Sequence, residues 1–105
     1  MSQFDVYPNP DPGSKARIPF VVVLQSDFLD AIDNHVVAPL RPKQEPGIVP
    51  VIRLNPVVHV DDTEYLVRVQ DLATVPRRML KQPVANLSPQ RDEILAALDF
   101  LFTGF

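Results

Sequence analysis

The chain has 105 residues, 10 Lys and Arg against 13 Asp and Glu for a formal charge of −3, and no cysteine. At this length one domain over residues 1–105 is expected, with a single modest core. The missing cysteine excludes disulfides and thiolate metal sites, and scattered cations on an acidic chain are not the footprint of a nucleic-acid binder.

Residues 1–5 lack the basic and apolar regions of a secretory leader, and no apolar run approaches the ~18 residues of a membrane span, so a cytoplasmic location away from any membrane is expected. Twelve prolines stand against three glycines. Proline lacks a backbone donor and is barred from helix interiors and central strands, so the first 89 residues are expected to be short strands and turns.

Residues 3–7 alternate polar and apolar, predicting a first strand that ends near Tyr7, followed by a Pro-, Asp- and Gly-containing loop over 8–15. Residues 18–24 are a nearly unbroken apolar run with Pro19 near the start. That pattern predicts a strand buried on both faces at the centre of a sheet. A polar break, Gln25-Ser26-Asp27, precedes Phe28-Leu29. Residues 35–40 read as the next strand, closed by Pro39 and Pro42, and 48–54 read as extended.

Residues 57–60 and 64–69 flank Asp61-Asp62-Thr63, which predicts a hairpin. In its second arm Tyr65, Val67 and Val69 form an apolar face opposite the mixed set Glu64, Leu66, Arg68 and Gln70. The only predicted helix is the last element. Ser88 suits the N-cap, Pro89 the first helical position, Asp92 and Glu93 the positive end of the dipole, and Gly104 the C-terminal cap. Ile94, Leu95, Leu98, Leu101, Phe102 and Phe105 keep the spacing of one face, with Phe100 and Thr103 off it. Six or seven strands and one helix describe an antiparallel sheet or small barrel with a helix laid on it.

Catalytic groups do not converge in the sequence. His35 and His59 each lie beside valines in predicted strands, where an ordinary hydrogen bond is the expected role rather than general-base work. Asp27, Asp30 and Asp33 read as turn and capping carboxylates, and Arg77-Arg78 as a solvated surface pair. The apolar residues at the end of the helix point instead to packing or a partner.

Gln3-Phe4-Asp5-Val6-Tyr7, Gln25-Ser26-Asp27-Phe28-Leu29-Asp30, Val37-Ala38-Pro39-Leu40, Asn55-Pro56-Val57-Val58-His59-Val60, Ala73-Thr74-Val75-Pro76 and the stretch 87–105 together resemble the CcdB family of toxins. The resemblance spans nearly the whole chain. It implies an SH3-like small barrel related to Kid and MazF, with a main antiparallel sheet, a smaller wing sheet and a C-terminal helix, assembled as a homodimer.

It also implies the toxin of a plasmid-maintenance type of toxin–antitoxin pair. Such a toxin binds the DNA gyrase A subunit, traps the cleaved-DNA complex and is neutralised by a CcdA-like antitoxin. No catalysis, cofactor, metal or direct nucleic-acid contact by the toxin is implied. Carried over by position, the gyrase-binding residues are Phe28, Leu29, Asp99, Phe102, Thr103, Gly104 and Phe105. Thr103 stands where the best-known pattern has Trp, and Asp99 where it has Asn. The alternatives are an endoribonuclease of the MazF and Kid type, tested at His59 and Arg17, and a homologue with weakened or lost gyrase poisoning.

Overall fold

The structure is a computed structural model that describes residues 2–104. Seven strands run β1 (Asp5–Pro8), β2 (Phe20–Val23), β3 (Asn34–Pro42), β4 (Val57–Val60), β5 (Thr63–Val67), β6 (Ala73–Pro76) and β7 (Ala85–Asn86), followed by one helix, α1 (Arg91–Thr103). All pairings are antiparallel, in the order β4-β5-β3-β2-β1-β7, with β6 also on β3. The sheet curls into a nearly closed barrel whose smaller wing, β4–β5, is joined to the main sheet through the far end of β3.

β3 organises the barrel because its outer edge serves two partners. Asn34 to Val37 pair with β6 and Leu40 to Pro42 with β5, while residues 37–40 pair with β2 on the inner edge. Pro39 therefore lies within the strand rather than closing it, while Pro42 is its last residue. Pro39 falls where the outer edge passes from β6 to β5, a place where a missing N–H breaks no ladder bond, and its carbonyl accepts from the Arg68 N–H at 3.0 Å.

Period-2 alternation divides the side chains between two cores. Phe4, Val6, Val22, Ala38 and Leu40 face the cluster that Val58, Val60, Tyr65 and Val67 close from the wing and Ile94 and Ala97 close from α1. Tyr7, Val21, Val23 and Val37 face the other way and are covered by Leu80, from the segment 77–83 that crosses behind the sheet. β2 is thus buried on both faces, as its apolar run predicts. Burial pushes the Tyr7 phenol above its ordinary value, and the charges of Asp5 and Asp30 push the same way.

The β4–β5 hairpin turns on Asp61 and Asp62 at φ +50° and +64°. Two consecutive left-handed residues make the type I′ loop that matches strand twist, and Asp tolerates that region better than most side chains. β5 ends at Val67 rather than Val69, which is buried in a 3-10 turn, Val69–Asp71. Leu66 is fully buried too, so the mixed face of this arm is only partly wet.

Residues 48–54 do not form the expected extended segment. They make a loop with turns at 52–54, and Val49 and Ile52 are exposed because no neighbouring strand offers them a ladder. At the other end, Ser88 does not cap α1 with its side chain. A 3-10 turn, Ser88–Gln90, leads into the helix, and the Ser88 N–H donates to Asn86 Oδ1 at 2.8 Å. Ile94 and Ala97 form the buried seam of α1, with Leu95, Leu98 and Leu101 packed at its sides.

Candidate interaction surface at the end of the helix

α1 ends as Gly104 predicts. Its φ of +80° is left-handed, a conformation glycine adopts without steric cost, and its N–H donates to the Phe100 carbonyl at 3.0 Å. Two residues earlier, Phe102 has left the packed face. It is 70% exposed, a departure from the predicted stripe: the seam set by Ile94 and Ala97 has rotated past it by the last turn.

Leu98 and Phe102 form one wall of a groove of about 360 Å³ whose other wall is Leu24, Gln25, Val36 and Leu72. Apart from Gln25 the lining is apolar. Gln25 connects this groove to the loop after β2: its Oε1 accepts from the Val36 N–H at 3.2 Å and its Nε2 donates to the Leu29 carbonyl at 3.0 Å. The loop itself is a 3-10 turn, Asp27–Leu29, held by the Phe28 N–H donating to Ser26 Oγ at 3.2 Å and the Gln3 N–H donating to Asp27 Oδ1.

The turn presents Phe28 to solvent. It is 98% exposed on a backbone pinned from three directions, and Leu29 beside it is half exposed. An apolar ring held clear of its own core by a fixed backbone is preorganised for a partner, since little freedom remains to be lost on binding.

Of the expected site residues, the structure brings the Phe28-Leu29 turn and Phe102 to the same end of the molecule, through Gln25. Asp99, Thr103 and Gly104 lie on the exposed side of the last helical turn. The Thr103 hydroxyl donates to the Asp99 carbonyl at 2.6 Å, so it is already engaged within the helix. Phe105 lies outside the described residues. Phe100, placed off the helix face by its spacing, is half-buried, with the Arg53 guanidinium 4.5 Å from the ring centroid. Gln25 is absent from the sequence-based set; its signal is a lone amide where the apolar run of β2 ends.

The family model described as CcdB protein matches residues 3–104. The chain belongs to the CcdB family. This is a family of toxins from toxin–antitoxin pairs. Among solved structures the fold is similar to the Mycobacterium tuberculosis toxin MazF-mt6, with a TM-score of 0.65 and 18% sequence identity over 79% of this chain and 84% of that one. At that identity the likeness concerns the barrel alone.

The titratable groups of this CcdB-family chain are dispersed. His35 is buried, its Nε2 3.2 Å from the Asp30 carbonyl and its Nδ1 without a hydrogen-bond partner. His59 is exposed on the wing, 3.6 Å from Glu64. Asp27 and Asp30 serve the turn and an ion pair with Arg77 at 3.8 Å. Among the described residues no three His, Asp or Glu side chains converge as metal ligands, and no helix is long and apolar enough to cross a membrane.

Proposed function

We propose that this chain is a non-enzymatic toxin that acts as a homodimer on the DNA gyrase A subunit and is neutralised by a CcdA-like antitoxin. The observation that carries this reading is the exposed Phe28-Leu29 turn tied through Gln25 to the apolar groove that the exposed Phe102 lines, in a chain that the CcdB family covers from residue 3 to 104. Phe28, Leu29, Asp99, Phe102, Thr103, Gly104 and Phe105 are the proposed contacts.

Such a surface acts by differential affinity. A ligand that prefers the DNA-cleaved, open-gate state over the closed one shifts that equilibrium by about 1.4 kcal/mol for each tenfold preference, and needs no chemistry of its own. The enzyme's own cleavage step then supplies the damage. The antitoxin, folding as it binds, competes for the toxin.

The barrel likeness to MazF-mt6 favours a second reading, an RNA-cleaving toxin, with His59 and Arg17 as its residues. For that reading the structure offers the exposed His59, 3.6 Å from Glu64, as an acid–base pairing. Thr103 in place of Trp favours a third, a homologue whose hold on gyrase is weakened. Expression without antitoxin, in strains with a wild-type or a toxin-resistant gyrase A subunit, separates them. Growth arrest rescued by the resistant subunit supports the proposal. Arrest in both strains supports RNA cleavage, and arrest in neither supports lost toxicity.

A further inference from the structure

The turn that carries Phe28 lies in a loop with little of its own to hold it. Residues 27–34 are exposed apart from the half-buried Asp30, and the turn's own backbone bonds reach only three residues back: the Leu29 N–H donates to the Ser26 carbonyl at 3.0 Å and the Asp30 N–H to the Asp27 carbonyl at 3.1 Å. A 3-10 turn that buries no side chain is not stable by itself, because the entropy of ordering its backbone outweighs two such bonds. Its order comes from outside.

The entry to the turn is fixed by the Gln3 N–H donating to Asp27 Oδ1, and the exit by two side chains. Gln25 Nε2 donates to the Leu29 carbonyl at 3.0 Å, and the next carbonyl, that of Asp30, lies 3.2 Å from His35 Nε2. His35 is the first buried residue of β3, where it pairs with Val75 of β6. Its ring thus reaches from the sheet to the end of the turn.

The chemistry of that contact assigns the ring's proton. A carbonyl oxygen only accepts, so Nε2 is the protonated nitrogen, and Nδ1, buried without a partner among the described residues, is the bare one. As packing alone the imidazole is a poor filler, since a buried polar atom without a partner costs stability that an aliphatic side chain would not. What the ring supplies, and an aliphatic chain cannot, is the N–H for Asp30.

We propose that His35 is a positioning residue for the Phe28-Leu29 turn: its Nε2–H, carried by β3, fixes the Asp30 carbonyl and so keeps Phe28 in the orientation that a partner meets. The order of the turn is a property of this chain alone; that the partner served is the gyrase A subunit rests on the function proposed above. Holding the turn in place beforehand raises affinity by sparing the ordering cost at binding, with no contact between His35 and the partner.

Two substitutions at this one position separate positioning from packing. His35→Gln keeps an N–H donor on a side chain of similar reach, whereas His35→Leu keeps apolar bulk and removes the donor. Backbone amide order parameters of residues 27–30 should fall from about 0.85 to below about 0.6 in His35→Leu and stay near the parent value in His35→Gln. Urea unfolding should nonetheless find the Leu variant no less stable than the Gln variant, an order that packing alone would carry over to the turn. In the parent chain, long-range proton–nitrogen correlations of the imidazole should place the proton on Nε2. Affinity for a gyrase A-subunit fragment should weaken about fivefold or more in His35→Leu and stay within about twofold in His35→Gln. An unchanged turn in His35→Leu, a turn equally loosened in both variants, or a proton on Nδ1 in the parent chain would overturn the proposal, as would a loosened turn with undiminished gyrase affinity. A parent chain that does not bind the fragment overturns the gyrase reading instead, and the order parameters and the tautomer then decide the role of His35 by themselves.

Discussion

The Thr103 hydroxyl donates to the Asp99 carbonyl at 2.6 Å, closing the last turn of α1 on itself. Two of the residues proposed to face gyrase thus spend part of their polar capacity on each other. With its hydroxyl so engaged, the exposed position 103 carries only a small side chain where the related pattern places an indole. Large aromatic anchors carry about 2 kcal/mol or more at the centre of interfaces. Thr103→Trp is therefore expected to tighten binding to a gyrase A-subunit fragment by about tenfold or more, read by titration calorimetry. An unchanged affinity would place position 103 outside the interface.

Phe28 and Phe102 are exposed, so removing them should leave the fold nearly untouched. Phe28→Ala and Phe102→Ala are expected to shift unfolding free energy by no more than about 0.5 kcal/mol, while each weakens gyrase binding by about 2 kcal/mol. Urea denaturation and calorimetry on the same preparations separate the two effects. A variant that loses stability as well as binding would show the ring to be part of the core.

Ile94 makes the opposite case. It is fully buried between α1 and the sheet, so Ile94→Ala removes transfer free energy and leaves a cavity, at a cost of about 2 to 5 kcal/mol in urea unfolding. The α1 surface is held by this seam, and toxicity should fall through loss of folded protein rather than loss of contact.

The hairpin turn offers a stabilising change. Asp61→Asn with Asp62→Gly keeps the type I′ geometry and relieves the steric cost of positive φ, with an expected gain of about 1 kcal/mol. A denaturation midpoint that does not rise would show that the Asp side chains support the turn in some other way.

Glu45 accepts from Arg41 Nη2 at 2.6 Å and from Nε at 3.1 Å, and that hydrogen bonding holds its carboxyl below the ordinary glutamate value. With the folded-state value depressed, the pair contributes stability above the unfolded-state value and loses it as pH falls through the folded one. NMR titration should place Glu45 below exposed glutamates, and Arg41→Gln should return it to their range.

Where periodicity and turn chemistry are local, the sequence is readable. The Asp61-Asp62 hairpin, the doubly buried β2 and the glycine end of α1 all follow from neighbours within a few positions. The departures need distant partners. Residues 48–54 have strand-like composition but no strand beside them, and Pro39 sits inside β3 because β6 and β5 divide its edge. The candidate site is legible by resemblance, yet its geometry is not. Gln25, the side chain that links the Leu29 carbonyl to the groove, is ordinary in sequence.

The most direct test of the central claim uses purified gyrase, supercoiled plasmid and the purified chain, with the DNA denatured from protein at the end of the reaction. The account predicts an accumulation of linear, protein-linked DNA that depends on Phe28 and Phe102 and disappears with a toxin-resistant A subunit. Intact plasmid at saturating toxin, together with no measurable binding to the A subunit, would contradict it.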